Sequence, residues 1–187
     1  MILVLGLLLW SFAHLFVAVM PAQRQQLSER LGVGPYRGLF SLVIVGALVL
    51  IVMGWKQFPA GQLYIPPAGL RHATMSLMPI ALILFVASQF PSDIRRMIRH
   101  PQMVAVKTWA LAHLLSNGEW RSVVLFGGLM AWAVAETIFI NRRDGARVKP
   151  EPTGVGRVLI TVVVGILLTG VVMYIHPWIA GIPLLPH

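Results

Sequence analysis

Polar and charged residues are confined to short stretches between long apolar runs, which cover about residues 1–20, 39–58, 69–90, 101–116, 120–140 and 157–180. A helix crossing the hydrocarbon core needs ~20 predominantly apolar residues. The pattern therefore predicts an all-α, polytopic integral membrane bundle of about six transmembrane helices, forming a single membrane domain over 1–187. The fourth run is short, starts at Pro101 and ends at an Asn117-Gly118 turn, so five spans plus a re-entrant segment also fit.

Composition places the chain in a bilayer: 57% hydrophobic, 11% charged, mean hydropathy +0.79. The connections then alternate in charge. Segments 21–38, 91–100 and 141–157 hold eleven of the fifteen basic residues. By the positive-inside rule these three connections are cytoplasmic and both termini face outward. Topology thus accounts for the +9 charge without nucleic acid. Residues 1–20 have neither a basic leading segment nor a small-residue cleavage pattern before Pro21, so they are expected to remain as a first span. There is no cysteine, which removes disulfides, thiolate-ligated haem, cysteine-ligated iron–sulfur clusters and zinc fingers. Any metal must take His, Met or oxygen ligands.

Candidate chemistry lies in an internal echo. Trp10-Ser11-Phe12-Ala13-His14-Leu15 returns as Trp109-Ala110-Leu111-Ala112-His113-Leu114, both inside apolar runs. An intramembrane histidine is costly and points to a functional site. At 1.5 Å per residue from the basic side, His14 is ~10 Å deep and His113 ~18 Å, both mid-membrane. On the same ruler His72 and His176 fall at the outer interface and His100 at the inner one, as interfacial or capping residues; His187 is terminal. Each Trp lies four residues before its His, on the same helical face. Two imidazoles with aromatic and apolar walls suit haem iron. Bare zinc or copper would want further ligands at that depth, and none is evident. The structural alternative is chance recurrence, with each His hydrogen-bonded to a neighbouring helix.

Lys107 and Glu136 fall at similar depths on consecutive antiparallel spans, so they could pair; alternatively Lys107, Arg37 or Arg99 could meet a haem propionate. Lys107 points ~140° away from Trp109 and His113, which favours the loop arginines. Gly46, Gly127, Gly128, Gly165 and Gly170 are expected at close helix contacts. Pro79 is expected to kink its helix, with Met75 and Met78 as apolar filler. Trp55, Tyr64 and Trp178 read as interfacial belt residues. No phosphate loop, Ser-His-Asp spacing or facing carboxylate pair is present, and six acidic residues offer hydrolytic chemistry little to work with.

Several segments carry a family resemblance: Gly34-Pro35-Tyr36-Arg37-Gly38-Leu39-Phe40-Ser41, Arg71-His72, His100-Pro101, Lys107 through Gly118, and Leu125-Phe126-Gly127-Gly128. Over about residues 1–145 the chain resembles the NnrU family of bacterial membrane proteins. That family is associated with denitrification and related to the plastid zeta-carotene isomerase, a haem b enzyme acting on a cis double bond of a carotenoid. The resemblance implies a bacterial inner-membrane protein with haem b held by His14 and His113. Trp10, Trp109, Arg37 and Arg99 are the further candidate cofactor contacts, and no catalytic residue is assigned. Ala110 stands where the isomerase has a cysteine implicated in redox-dependent ligation, so a thiolate switch of that kind cannot operate. Three functions follow. They are a haem protein of nitrogen-oxide or redox metabolism, which could meet a small gas; a haem-dependent cis–trans isomerase of a polyene or lipid; and a non-enzymatic assembly or transport factor.

Overall fold

A computed structural model describes residues 1–59, 61–181 and 184; the reading of His187 lies outside them. The described chain is helical, and its extended pairing is an isolated bridge between Gln62 and Glu119. The helices are α1 (Ile2–Val19), α2 (Pro21–Leu31), α3 (Val33–Gln57), α4 (Leu70–Gln89), α5 (Ile94–Met97), α6 (Pro101–Ser116), α7 (Trp120–Asp144) and α8 (Val155–Ala180). Among the described residues five helices, α1, α3, α4, α7 and α8, are long and apolar enough to cross a membrane. The fourth apolar run is α6, a continuous helix of 16 residues, ~24 Å long.

The bundle is assembled through α7, which packs on both α1 and α6; α3 packs on α1, α4 on α6, and α8 on α4. The short α6 is therefore held between protein neighbours, where polar backbone at membrane depth can be satisfied. Thr74 of α4 lies 2.8 Å from the Ala112 carbonyl and 2.6 Å from the Ser116 hydroxyl, so it can donate to one and accept from the other. At the end of α6 the Tyr64 hydroxyl donates to the carbonyls of Leu114 and Asn117, and the Leu63 and Tyr64 N–H groups donate to the Gly118 carbonyl. These bonds take up carbonyls that a helix terminus leaves unpaired. The same end holds an apolar cluster of Leu3, Leu7 and Ile51 with Trp10, Phe58 and Leu125 packed against it.

The basic connections gather at the opposite end. Arg147 donates to the carbonyls of Arg95 (2.6 Å) and Met97 (3.2 Å), and Arg143 to that of Val17 (3.4 Å). The Asp93 carboxylate accepts the backbone N–H of Thr153 at 2.7 Å and its hydroxyl at 3.0 Å. The Thr153 N–H is the main influence holding the Asp93 carboxyl below its ordinary range. A group depressed in the folded state contributes above its unfolded pKa, ~3.9 for Asp, and loses that contribution as pH falls through the lower folded value. Asp93→Ala is accordingly expected to raise amide hydrogen exchange at Thr153 and Gly154 at neutral pH. Exchange there equal to wild type would show that this tether does not order the linker.

Several details differ from the sequence reading. The polar stretch after Pro21 is helix α2, and α3 begins at Val33, not near residue 39, with Pro35 in its first turn where a missing N–H costs no helical bond. Of the five glycines expected at close contacts, a Cβ on Gly165 would meet Ile83 and one on Gly128 would meet Leu7, while Gly46, Gly127 and Gly170 face open space. The tightest approaches are at Gly118, Gly54 and Gly165, with Gly6 next. Lys107 and Glu136 form no ion pair among the described residues. Counted from the contact between His113 and Phe126, Lys107 is ~9 Å and Glu136 ~15 Å toward the basic end, so their levels differ by about a helical turn. Glu136 is buried, with Arg143 two turns along its own helix as an electrostatic partner.

Candidate functional site

The repeated hexamers fold into repeated surroundings. In α1 the His14 Nδ1 is 2.9 Å from the Trp10 carbonyl oxygen; in α6 the His113 Nδ1 is 2.9 Å from that of Trp109. Each is a bond back along one helical turn. An imidazole nitrogen so placed carries the proton and donates, which leaves Nε2 with its lone pair as the ligating atom. Each ring also lies against its own Trp, with centroids 4.4 Å apart for Trp10 and His14 and 4.9 Å for Trp109 and His113. An aromatic of α7 closes each group: Trp132 at 5.1 Å from His14 and Phe126 stacked at 4.3 Å on His113. Phe40 of α3 stands edge-on to His14 at 5.8 Å.

The two histidines thus both border α7, from helices that do not pack extensively on each other. Phe126 and Trp132 are six residues apart, which is ~9 Å along α7 and ~120° around it. His14 lies that much nearer the basic end. Around it the buried indole N–H of Trp10 lacks an acceptor among the described residues, while that of Trp132 has the Glu136 carboxylate within reach one turn along α7. Unpaired buried donors are uncommon and call for an explanation.

His113 lines a cavity of about 330 Å³ with Trp109, Phe126, Trp55, Lys56, Met78 and His176. Its walls come from α3, α4, α6, α7 and α8 and are overwhelmingly apolar. His176 shares the cavity and is within electrostatic reach of His113. Depth measured from the basic side separated these two residues. Measured from the other end they coincide, since His113 is three residues from the end of α6 and His176 four from the end of α8, ~5 and ~6 Å. The early end of α6 at the Asn117-Gly118 turn was the signal available in the sequence. Met78, read as apolar filler, also faces this cavity, as do Trp55 and Lys56, the former with the Arg121 guanidinium 4.7 Å above its ring.

The remaining candidates are placed elsewhere. Arg37 lines a separate cleft with Arg24, Tyr36, Phe40 and Ser41. Arg99 precedes α6, within electrostatic reach of Asp144 at the end of α7. His100 Nε2 is 2.9 Å from Asn141 Oδ1, a tie between α6 and α7. His72 is exposed. Among the described residues no three His, Cys, Asp or Glu side chains gather as a metal-binding group, so a protein-only zinc centre lacks its ligands.

A helical membrane bundle with two histidines, each oriented by the backbone carbonyl of the Trp four residues before it and walled by aromatics, is the class that fold and site define. The chain belongs to the NnrU family, whose model, described as NnrU protein, matches residues 2–184. No curated protein and no solved structure was found to match it.

Proposed function

We infer that the chain is a haem b-binding membrane protein with His14 and His113 as its two imidazole donors, acting in nitrogen-oxide-linked redox metabolism. The observation that carries this reading is the Nδ1 bond made in both copies of the hexamer, each leaving Nε2 for a metal. The donor set fits the group: two neutral imidazoles, no thiolate, and no third protein ligand where the macrocycle would supply its own. The unpaired indole N–H of Trp10 suits an acceptor oxygen such as a propionate's, and Lys56 offers a cation beside His113. When bound, haem would supply a one-electron couple, with its iron open to a small ligand only if one of the two imidazoles is displaced. The chain itself would fix the tautomer of each imidazole, exclude water with Trp10, Trp109, Phe126 and Trp132, and hold the carboxylates.

An apolar cavity beside His113 favours a second reading, an isomerase whose polyene or lipid substrate enters from the bilayer. An absorption spectrum of protein purified from haem-supplied cells tests the common element. A Soret band with a reducible α band is expected, and a colourless protein would overturn both readings. Nitric oxide binding and isomerisation of a cis-polyene, assayed side by side, then separate them.

The bacterial inner membrane is the proposed location, with the basic connections cytoplasmic and both termini periplasmic, supported by the clustering of those connections at one end. A reporter fused after residue 187 is expected to be periplasmic; cytoplasmic activity would reverse the topology.

A further inference from the structure

The basic end of the bundle carries a second binding feature, which neither histidine lines though Phe40 borders both it and His14. α1, α2 and α3 enclose a cleft of about 320 Å³ lined by Val17, Arg24, Tyr36, Arg37, Phe40 and Ser41. Arg24 and Arg37 reach it from different helices, and neither has a carboxylate partner among the described residues. Tyr36 is only 8% exposed, and its buried hydroxyl has no hydrogen-bond partner there. The cleft thus gathers two guanidinium-bearing side chains and a tyrosine whose hydroxyl is unpaired, a donor set without an acceptor.

The cleft continues into an apolar groove. Tyr36 and Phe40 also line a neighbouring hollow of about 290 Å³, whose other walls include Leu9, Phe12, Phe16 and Leu39. Its lining is almost purely hydrocarbon. One end of this continuous feature therefore suits an anion and the other an alkyl chain.

We propose that this site holds an anionic phospholipid of the surrounding leaflet, with its phosphate among Arg24, Arg37, Tyr36 and Ser41 and an acyl chain along Leu9, Phe16 and Leu39. Charge complementarity selects the occupant. Basic pockets between helices on the cytoplasmic side take acidic headgroups, and the anionic leaflet faces that side. A zwitterionic lipid brings its own cation to the guanidinium pair and gains less. Arginine suits the phosphate because its planar fork can donate two parallel bonds.

The test is native mass spectrometry of the detergent-purified full chain titrated with phosphatidylglycerol or phosphatidylcholine, with haem absorbance read on the same samples. Wild type is expected to retain phosphatidylglycerol preferentially. The Arg24→Gln/Arg37→Gln double variant is expected to retain it roughly 10- to 30-fold less well, at about one surface cation's effect per arginine. Haem absorbance should not change, which separates failure of this site from failure of the haem reading. Equal retention of the two lipids, undiminished retention by the double variant, or displacement of the lipid by inorganic phosphate at matched concentration would overturn the proposal. Should the double variant lose its helical circular dichroism, Tyr36→Phe decides in its place: a several-fold drop in phosphatidylglycerol retention supports the site, and unchanged retention refutes it.

Discussion

His14→Ala and His113→Ala are each expected to lower the haem retained through purification by at least ~10-fold, with helical content unchanged. Even partners that only orient a metal-bound histidine are worth roughly 10- to 100-fold in affinity, and loss of a donor should cost no less. Trp109→Phe provides the contrast. His113 is oriented by the backbone carbonyl of residue 109, not by its indole, so that bond survives the substitution. Much of the aromatic wall survives with it, and haem retention should fall far less than in His113→Ala. Retention that is equal in wild type and both histidine variants would remove the ligand assignment.

Gly54→Ala is expected to destabilise the bundle by about 1–3 kcal/mol or more, the range typical of overpacking. A Cβ there would fall on the backbone of Leu3, with the Ile2 carbonyl carbon 2.8 Å away. Neither is a flexible side-chain end that could swing aside. The contact has a counterpart one turn along α1, where a Cβ on Gly6 would meet the Ile51 nitrogen at 2.7 Å and the Ala47 oxygen at 3.0 Å. α1 and α3 thus touch backbone to backbone at two levels, the close approach that small residues permit between helices in lipid. Because His14 rides on α1 and faces Phe40 of α3, prying these helices apart should also disturb the site. Gly46→Ala, on the same α3 but facing open space, is the control and should stay within ~0.5 kcal/mol of wild type. Thermal unfolding of wild type and the two variants in detergent compares them, and similar midpoints for Gly54→Ala and Gly46→Ala would contradict this packing.

The apolar runs located the long helices well because the bilayer imposes both length and composition on a span. Where that constraint lapsed, legibility lapsed with it. The segment Pro21–Leu31 is helical without an apolar stripe, and in a list of Gln, Arg and Ser it is hard to tell from a loop. Gly54 and Gly46 are indistinguishable as letters; only the rotation of α3 against α1 separates a contact from an open position. Depth along a helix was counted from one surface only. It misjudged His113 against His176, because α6 is shorter than its neighbours and its far end sets the level. The echo of Trp and His four residues apart was visible in the sequence, and its spacing is that of the carbonyl bond that each histidine makes. The aromatics of α7 that close each group, and the cleft of Arg24 and Tyr36, depend on tertiary packing that no local pattern encodes.

Near-infrared magnetic circular dichroism of the oxidised, purified protein reports directly on the pair of atoms above and below a haem iron. The expected result is a bis-imidazole signature in wild type that is lost in both His14→Ala and His113→Ala. A haem-free wild type, or a signature that persists in either variant, would contradict the assignment of these two histidines.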